Sequence, residues 1–136
     1  MRLLSKKNGQ SLVEFALIIP ILIFMITLFI DVGRAIFTYS ELANSVREGT
    51  RYAIVHPLEI PQDWTDVESI VLHYSPTLNP DDMAISFPTP EVPDGITISA
   101  TYQFKPITPG LSYLLGSTQS ITLEAHSTAL IAPLYQ

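Results

Sequence analysis

The sequence predicts an α+β chain. A single long N-terminal α-helix spans a membrane with its first half, is amphipathic in its second, and packs on a small antiparallel β-sheet domain. Three observations predict this. Phe15 to Ile30 is an apolar run without a charge, no proline occurs between Pro20 and Pro57, and two segments near the C-terminus alternate apolar with polar residues. The 136 residues are enough for one such domain, and they divide into a basic stretch over 1–9, the helix over 10–55 and a small α+β domain over 56–136.

The membrane span is argued from length and transfer energy. The 16 residues of the run rise about 24 Å as a helix, a little short of the roughly 30 Å hydrocarbon core. Leu12 and Val13 complete the span and leave Glu14 one turn from its end. The 12 Leu, Ile and Phe residues of the run together favour insertion by about 5 kcal/mol, whereas even a central charge opposes it by only ~3 kcal/mol. Insertion wins. Arg2, Lys6 and Lys7 precede the helix with no acid among them, while Asp31 and an acidic C-terminal part follow it. The positive-inside rule therefore expects the N-terminus in the cytoplasm, the helix in the cytoplasmic membrane and everything after Ile30 outside. A cleaved secretory signal has the same outline but ends in a small-x-small site. Phe29-Ile30-Asp31-Val32-Gly33-Arg34 offers none.

Beyond the membrane, Val32, Ile36, Tyr39, Ala43, Val46, Thr50 and Ala53 recur at steps of 4-3-4-3-4-3, a heptad stripe. Such a stripe packs either on the protein's own outer domain or on helices of neighbouring chains. Arg34, Glu41 and Glu48 are expected on the opposite side, with Glu48 pairing Arg51 at i,i+3. A helix from about Ser11 to Val55 would be about 65–70 Å long. Pro20 removes one of its backbone hydrogen bonds, so a kink or local unwinding is expected there.

In the outer domain, Asp63 to Tyr74 reads as a short helix, with Trp64, Val67, Ile70, Val71 and Tyr74 on one face. Asp63 or Thr65 can cap it, and Thr65-x-x-Glu68 resembles a capping box. Pro76 stops it. Prolines at 76, 80, 88, 90 and 93 make the following stretch mostly loop, with Met83 to Phe87 as a short edge strand. After the turn signal Asp94-Gly95, the residues Ile96, Ile98, Ala100, Tyr102 and Phe104 alternate with polar ones. Ile121, Leu123, Ala125, Ser127, Ala129 and Ile131 do the same. The connection from Pro106 to Ser120 passes through Pro109-Gly110 and carries Leu111, Tyr113, Leu114 and Leu115, expected to cover the core or another subunit.

Composition excludes several functions. From Pro57 onward nine acidic residues face one base, Lys105, for a net charge of −8, which repels phosphate backbones and argues against nucleic-acid partners. The absence of cysteine rules out disulfides, thiolate metal sites and a cysteine nucleophile. Stability must therefore come from packing against the helix or from assembly. His56, His73 and His126 have no metal-ligand spacing, and no nucleophile–base–acid set or phosphate-cradling glycine loop is present. The expectation is a protein without metal or cofactor that is not an enzyme.

The N-terminal residues carry a family resemblance. The basic stretch ends in Gly9 and is followed by Gln10-Ser11-Leu12-Val13-Glu14-Phe15. This resembles the prepilin peptidase motif of type IV pilins: glycine, the cut, four residues, glutamate, then an aromatic. The Glu-Phe pair is similar to the Glu-Tyr pair of tight-adherence (Flp/Tad) pilins. The broader resemblance is to TadE-like pseudopilins, carried by Glu14-Phe15-Ala16-Leu17, Pro20, Asp31-Val32-Gly33-Arg34 and Val46-Arg47-Glu48-Gly49-Thr50-Arg51-Tyr52-Ala53, with Thr50 in place of the usual alanine. It is specific over about Gly9–Ala53 and weaker beyond.

The resemblance implies a type IV pilin-like fold and cleavage between Gly9 and Gln10 by a prepilin peptidase, with Glu14 and Phe15 serving processing and assembly. It implies membrane lipid, other pilin or pseudopilin subunits and the Tad secretion machinery as partners. In the family the glutamate carboxylate is thought to meet the N-terminal amine of a neighbouring subunit, which answers the need of a carboxylate in lipid for a partner. The bland alternative for Glu14 is exposure to headgroups. Asp31 and Arg34 are expected to pair at i,i+3 and mark the outer membrane interface. Gly33 and Gly49 permit close helix approach. The 127 residues after Gly9 exceed the short major pilins of such systems and imply a minor role. The competing reading is an uncleaved single-pass anchor presenting an acidic binding domain.

Overall fold

Leu, Ile and Phe favour helix in an apolar run, and nothing between Pro20 and Pro57 breaks the hydrogen-bond ladder. The computed structural model, which describes residues 7–56, 63–87, 95–116 and 119–130, accordingly shows one continuous helix α1 (Lys7–Val55) of 49 residues. At 1.5 Å per residue it is about 73 Å long. The helix is unbroken through Pro20, whose ring deprives the Ala16 carbonyl of its donor. It begins three residues before the expected Gln10, so Gly9 and Gln10 both lie within it. Residues 9–26 are all exposed, and the apolar window is not buried inside the protein.

The remaining elements cluster on the second half of α1. Helix α2 (Thr65–His73) packs on it, and strands β1 (Met83–Ser86), β2 (Gly95–Phe104) and β3 (Ile121–Leu130) form an antiparallel sheet in the order β1-β2-β3. A 3-10 turn at Pro80–Asp82 leads into β1, and a single-turn helix α3 (Leu111–Leu114) lies in the connection between β2 and β3. The fold is thus α+β and pilin-like, a long helix against a three-stranded sheet. Residues expected within 1–6, 57–62, 88–94 and 131–136 lie outside the described residues; they include Arg2, Lys6, Pro88, Pro90, Pro93, Asp94 and Ile131.

The alternation in β2 and β3 is used as expected. Ile98 pairs with Ser127, Ala100 with Ala125 and Phe104 with Ile121, and the even-numbered residues of β2 turn inward. The β1 edge strand pairs Met83 with Tyr102. Leu42, Val46 and Ala53 of α1, Val67 and Val71 of α2, and Ile96, Ile98, Ala100 and Ala125 of the sheet are buried together. Helix and domain therefore share one core, with α1 as its wall.

Helix α2 is shorter than expected. Its N-cap is Trp64, which makes no side-chain cap; Asp63 accepts from the Thr65 amide at 2.9 Å and from the Thr65 hydroxyl instead. The Thr65/Glu68 capping box does not form, because Thr65 is already inside the helix and its hydroxyl is turned back to Asp63. Val67 and Val71 are buried and Trp64 stacks on Phe87 at 4.9 Å, but Tyr74, past the last turn, is exposed.

Candidate functional site

The heptad stripe expected on α1 divides in two. Val46, Thr50 and Ala53 are buried in the core and Ala43 is half-buried, whereas Val32, Ile36 and Tyr39 are exposed. Over the first two turns the face toward the domain is set by Asp31, Ala35 and Thr38, each one residue before its apolar neighbour in the stripe. Those positions are polar or small, so hydrophobicity does not reveal them. The sheet comes close to the helix here because the residues are short, and the large apolar side chains are left facing outward. Glu41, expected away from the domain, is drawn into it: Oε1 accepts from the Thr77 amide at 2.9 Å, and Oε2 from the Thr77 hydroxyl. Glu48 and Arg51 do pair, at 3.8 Å.

Asp31 stands where the charge-free run ends, yet it is 1% exposed. Its Oδ1 accepts from the Ile107 amide at 2.9 Å, and its Oδ2 from the Thr108 amide at 2.6 Å. Arg34 donates to Oδ1 at 3.1 Å, the expected i,i+3 pair, and lies over the Phe104 ring at 5.1 Å. Burial pushes the Asp31 carboxyl up, but the Ile107 and Thr108 amides and the Arg34 guanidinium outweigh it and hold the group below its ordinary value. Asp31 is thus an ionised clamp. It fixes the start of the β2–β3 connection to the helix at the height where the apolar span ends. Nothing in the sequence names Ile107 and Thr108 as its partners, since backbone amides carry no residue signal.

Two further contacts join the long helix to the domain, and the close approach expected at Gly49 is one of them. Thr50 donates to the Val46 carbonyl at 2.9 Å and reaches the Ser127 carbonyl of β3 at 3.4 Å. A Cβ on Gly49 would stand 2.6 Å from Cγ2 of Val71, so this glycine is what lets α2 approach α1. Gly33, by contrast, faces open space. Beside Arg34 an open groove is bordered by Phe37, Thr38, Tyr102 and Lys105, and Lys105 donates to both oxygens of Asp82 at 2.6 and 2.9 Å.

At the other end of α1, Gly9, Gln10, Glu14 and Phe15 are exposed, and the Gln10 side-chain amide donates to Glu14 Oε1 at 3.4 Å. A peptidase needs an extended peptide at its cut, whereas the Gly9–Gln10 bond is helical. An isolated first turn lacks the bonds that hold a helix interior, and glycine lowers the cost of unwinding it by about 1 kcal/mol relative to alanine. Of the histidines, His56 stacks on Tyr52 at 4.1 Å, His73 meets Tyr74 edge-on and His126 is exposed.

Comparison with known proteins bears on this helix. Residues 9–51 match the family model described as TadE-like protein. No curated protein and no solved structure matches the chain. The matched region takes in the N-terminal motif, the whole apolar span, the Asp31–Arg34 pair and Gly49. Over residues 9–51 the chain is thus similar to TadE-like proteins, and its apolar half fits a single-pass membrane protein.

Proposed function

We propose that the chain is a minor, pilin-like structural or assembly component of a tight-adherence pilus, processed between Gly9 and Gln10 and carried in the membrane or filament with its domain outside. The observation that carries this reading is the TadE-like match, which begins at Gly9 and spans Glu14 and Phe15. Cleavage frees the amine of Gln10 and removes the basic charges that retain the N-terminus on the cytoplasmic side. Glu14 then offers a carboxylate that a neighbouring subunit's amine neutralises. Val32, Ile36 and Tyr39, exposed beyond the span, supply an apolar face for the helices of other subunits. The role is structural rather than catalytic.

One observation favours a second reading, an uncleaved anchor presenting an acidic domain: the Gly9–Gln10 bond lies within α1. The mass of the chain recovered from membranes of cells with and without the cognate prepilin peptidase separates the two. A chain beginning at Gln10 only when the peptidase is present, and full-length for Gly9→Val, supports the pilin reading. An intact chain in peptidase-positive cells establishes the static anchor.

A further inference from the structure

The β2–β3 connection has an unusual composition. From Pro106 to Ser120 there is no charged residue, in an exported part where acids are otherwise frequent. Its apolar side chains do not enter the core. Leu111 is half-buried, but Ile107, Tyr113, Leu114 and Leu115 are exposed, Leu114 at 78%. Four large apolar side chains on 9 residues, left in water, would be costly and would invite aggregation.

The position of the connection decides what covers it. Strand β2 runs antiparallel to α1. Ile98 lies beside Gly49, Phe104 beside Arg34, and the amides of Ile107 and Thr108 are held by Asp31. The chain therefore descends along the helix toward the apolar span and reaches the level of Asp31 before turning back at Ile121, which pairs with Phe104. The turn at Gly110 (φ 77°) starts α3 at this end. Directly N-terminal of Asp31 the exposed Ile30 and Phe29 begin the charge-free run. Thr27 and Leu28, on the next turn, are the only residues between 9 and 30 that are not exposed.

We infer that the Ile107–Leu115 segment docks on the lipid surface, seating Tyr113, Leu114 and Leu115 in the outer interface of the bilayer that α1 crosses. The apolar surface of the span and that of the connection are then continuous, and one lipid phase covers both. Tyrosine with leucine in an uncharged segment suits the headgroup–acyl boundary. The Asp31 clamp sets the height of the segment and hides the carboxylate at the C-terminal end of the apolar run behind Ile107, Thr108 and Arg34. The domain is thereby held against the membrane at a second point. This inference rests on α1 spanning the bilayer.

The chain has no cysteine, so single labels are unambiguous. The full chain carrying Leu114→Cys, Leu115→Cys, Leu22→Cys or His126→Cys is labelled with an environment-sensitive fluorophore. Each is placed one chain per phosphatidylcholine nanodisc, with or without lipid bearing a nitroxide near the headgroup. The labels at 114 and 115 are expected to emit at shorter wavelength than that at 126 and to lose most of their emission to the nitroxide lipid, as the label at 22 does. Solvent-like, unquenched emission at 114 and 115 with quenching at 22 overturns the docking alone. Protection that arises only when discs hold two chains makes the partner a second copy and overturns it too. Equal quenching at 126 removes the specific docking, and an unquenched label at 22 overturns docking and span together.

Discussion

The backbone amide of Thr108 donates to the carboxylate of Asp31 at 2.6 Å across 77 residues of sequence. With the Ile107 amide on the other oxygen, a single buried carboxylate joins the end of the apolar run to the connection between two strands. Hydrogen bonds to an ionised group are worth about 1.5–3 kcal/mol each, and losing one partner leaves the others buried and unsatisfied.

Asp31→Ala is therefore expected to destabilise the domain by about 2–4 kcal/mol. Arg34→Ala is expected to cost less than about 1 kcal/mol, because its side chain is half in solvent and screened. Thermal melts in micelles rank the two; equal effects would mean that the ion pair, not the amide clamp, holds the loop.

The same group sets a pH dependence. Its pKa is lowered on folding, so its stabilisation is complete above the unfolded value, near the ordinary 3.8, and is lost as pH falls through the lower folded value. Melts are expected to show this loss only in that acidic window. Asp31→Asn should flatten the profile there while shifting it downward at neutral pH. An unchanged acid limb in the variant assigns the dependence to other carboxylates.

Gly49→Ala sets two effects against each other. Alanine gains about 1 kcal/mol of helix propensity, but overpacking costs about 1–3 kcal/mol, and the χ1 of Val71 is too stiff to yield easily. At a Cβ distance of 2.6 Å the clash is expected to prevail. In a Val71→Ala background Gly49→Ala should become neutral or stabilising, a coupling of about 1 kcal/mol or more. Denaturant titrations of the four chains measure it, and additive effects would place the close contact elsewhere.

Ile36→Ser and Tyr39→Ser test the outward half of the stripe. Both residues are exposed, so stability is expected to change by about 0.5 kcal/mol or less. Cross-linking between copies in membranes should fall. Val46→Ser, in the buried half, should instead unfold the domain by about 2 kcal/mol or more. Unchanged cross-linking with Ile36→Ser and Tyr39→Ser would remove this face from the assembly.

The sequence by itself determined the apolar run, the single long helix, the two inward-alternating strands and the TadE-like motif, while the kink expected at Pro20 does not break the helix. Each is written in local order: a run free of charge, a stretch free of proline, a period of two. The choice of face on the second half of α1 was decided only by tertiary structure. Asp31, Ala35 and Thr38 take the inward side because a sheet packs closest against short side chains, and that displaces Val32, Ile36 and Tyr39 outward. The same holds for Asp31 and Thr108, for Glu41 and Thr77, and for Gly49 and Val71. Two partners in each pair lie far apart in sequence, and backbone amides and missing Cβ atoms leave no periodic trace. Only the approach of sheet and second helix to the long helix brings them within bonding distance.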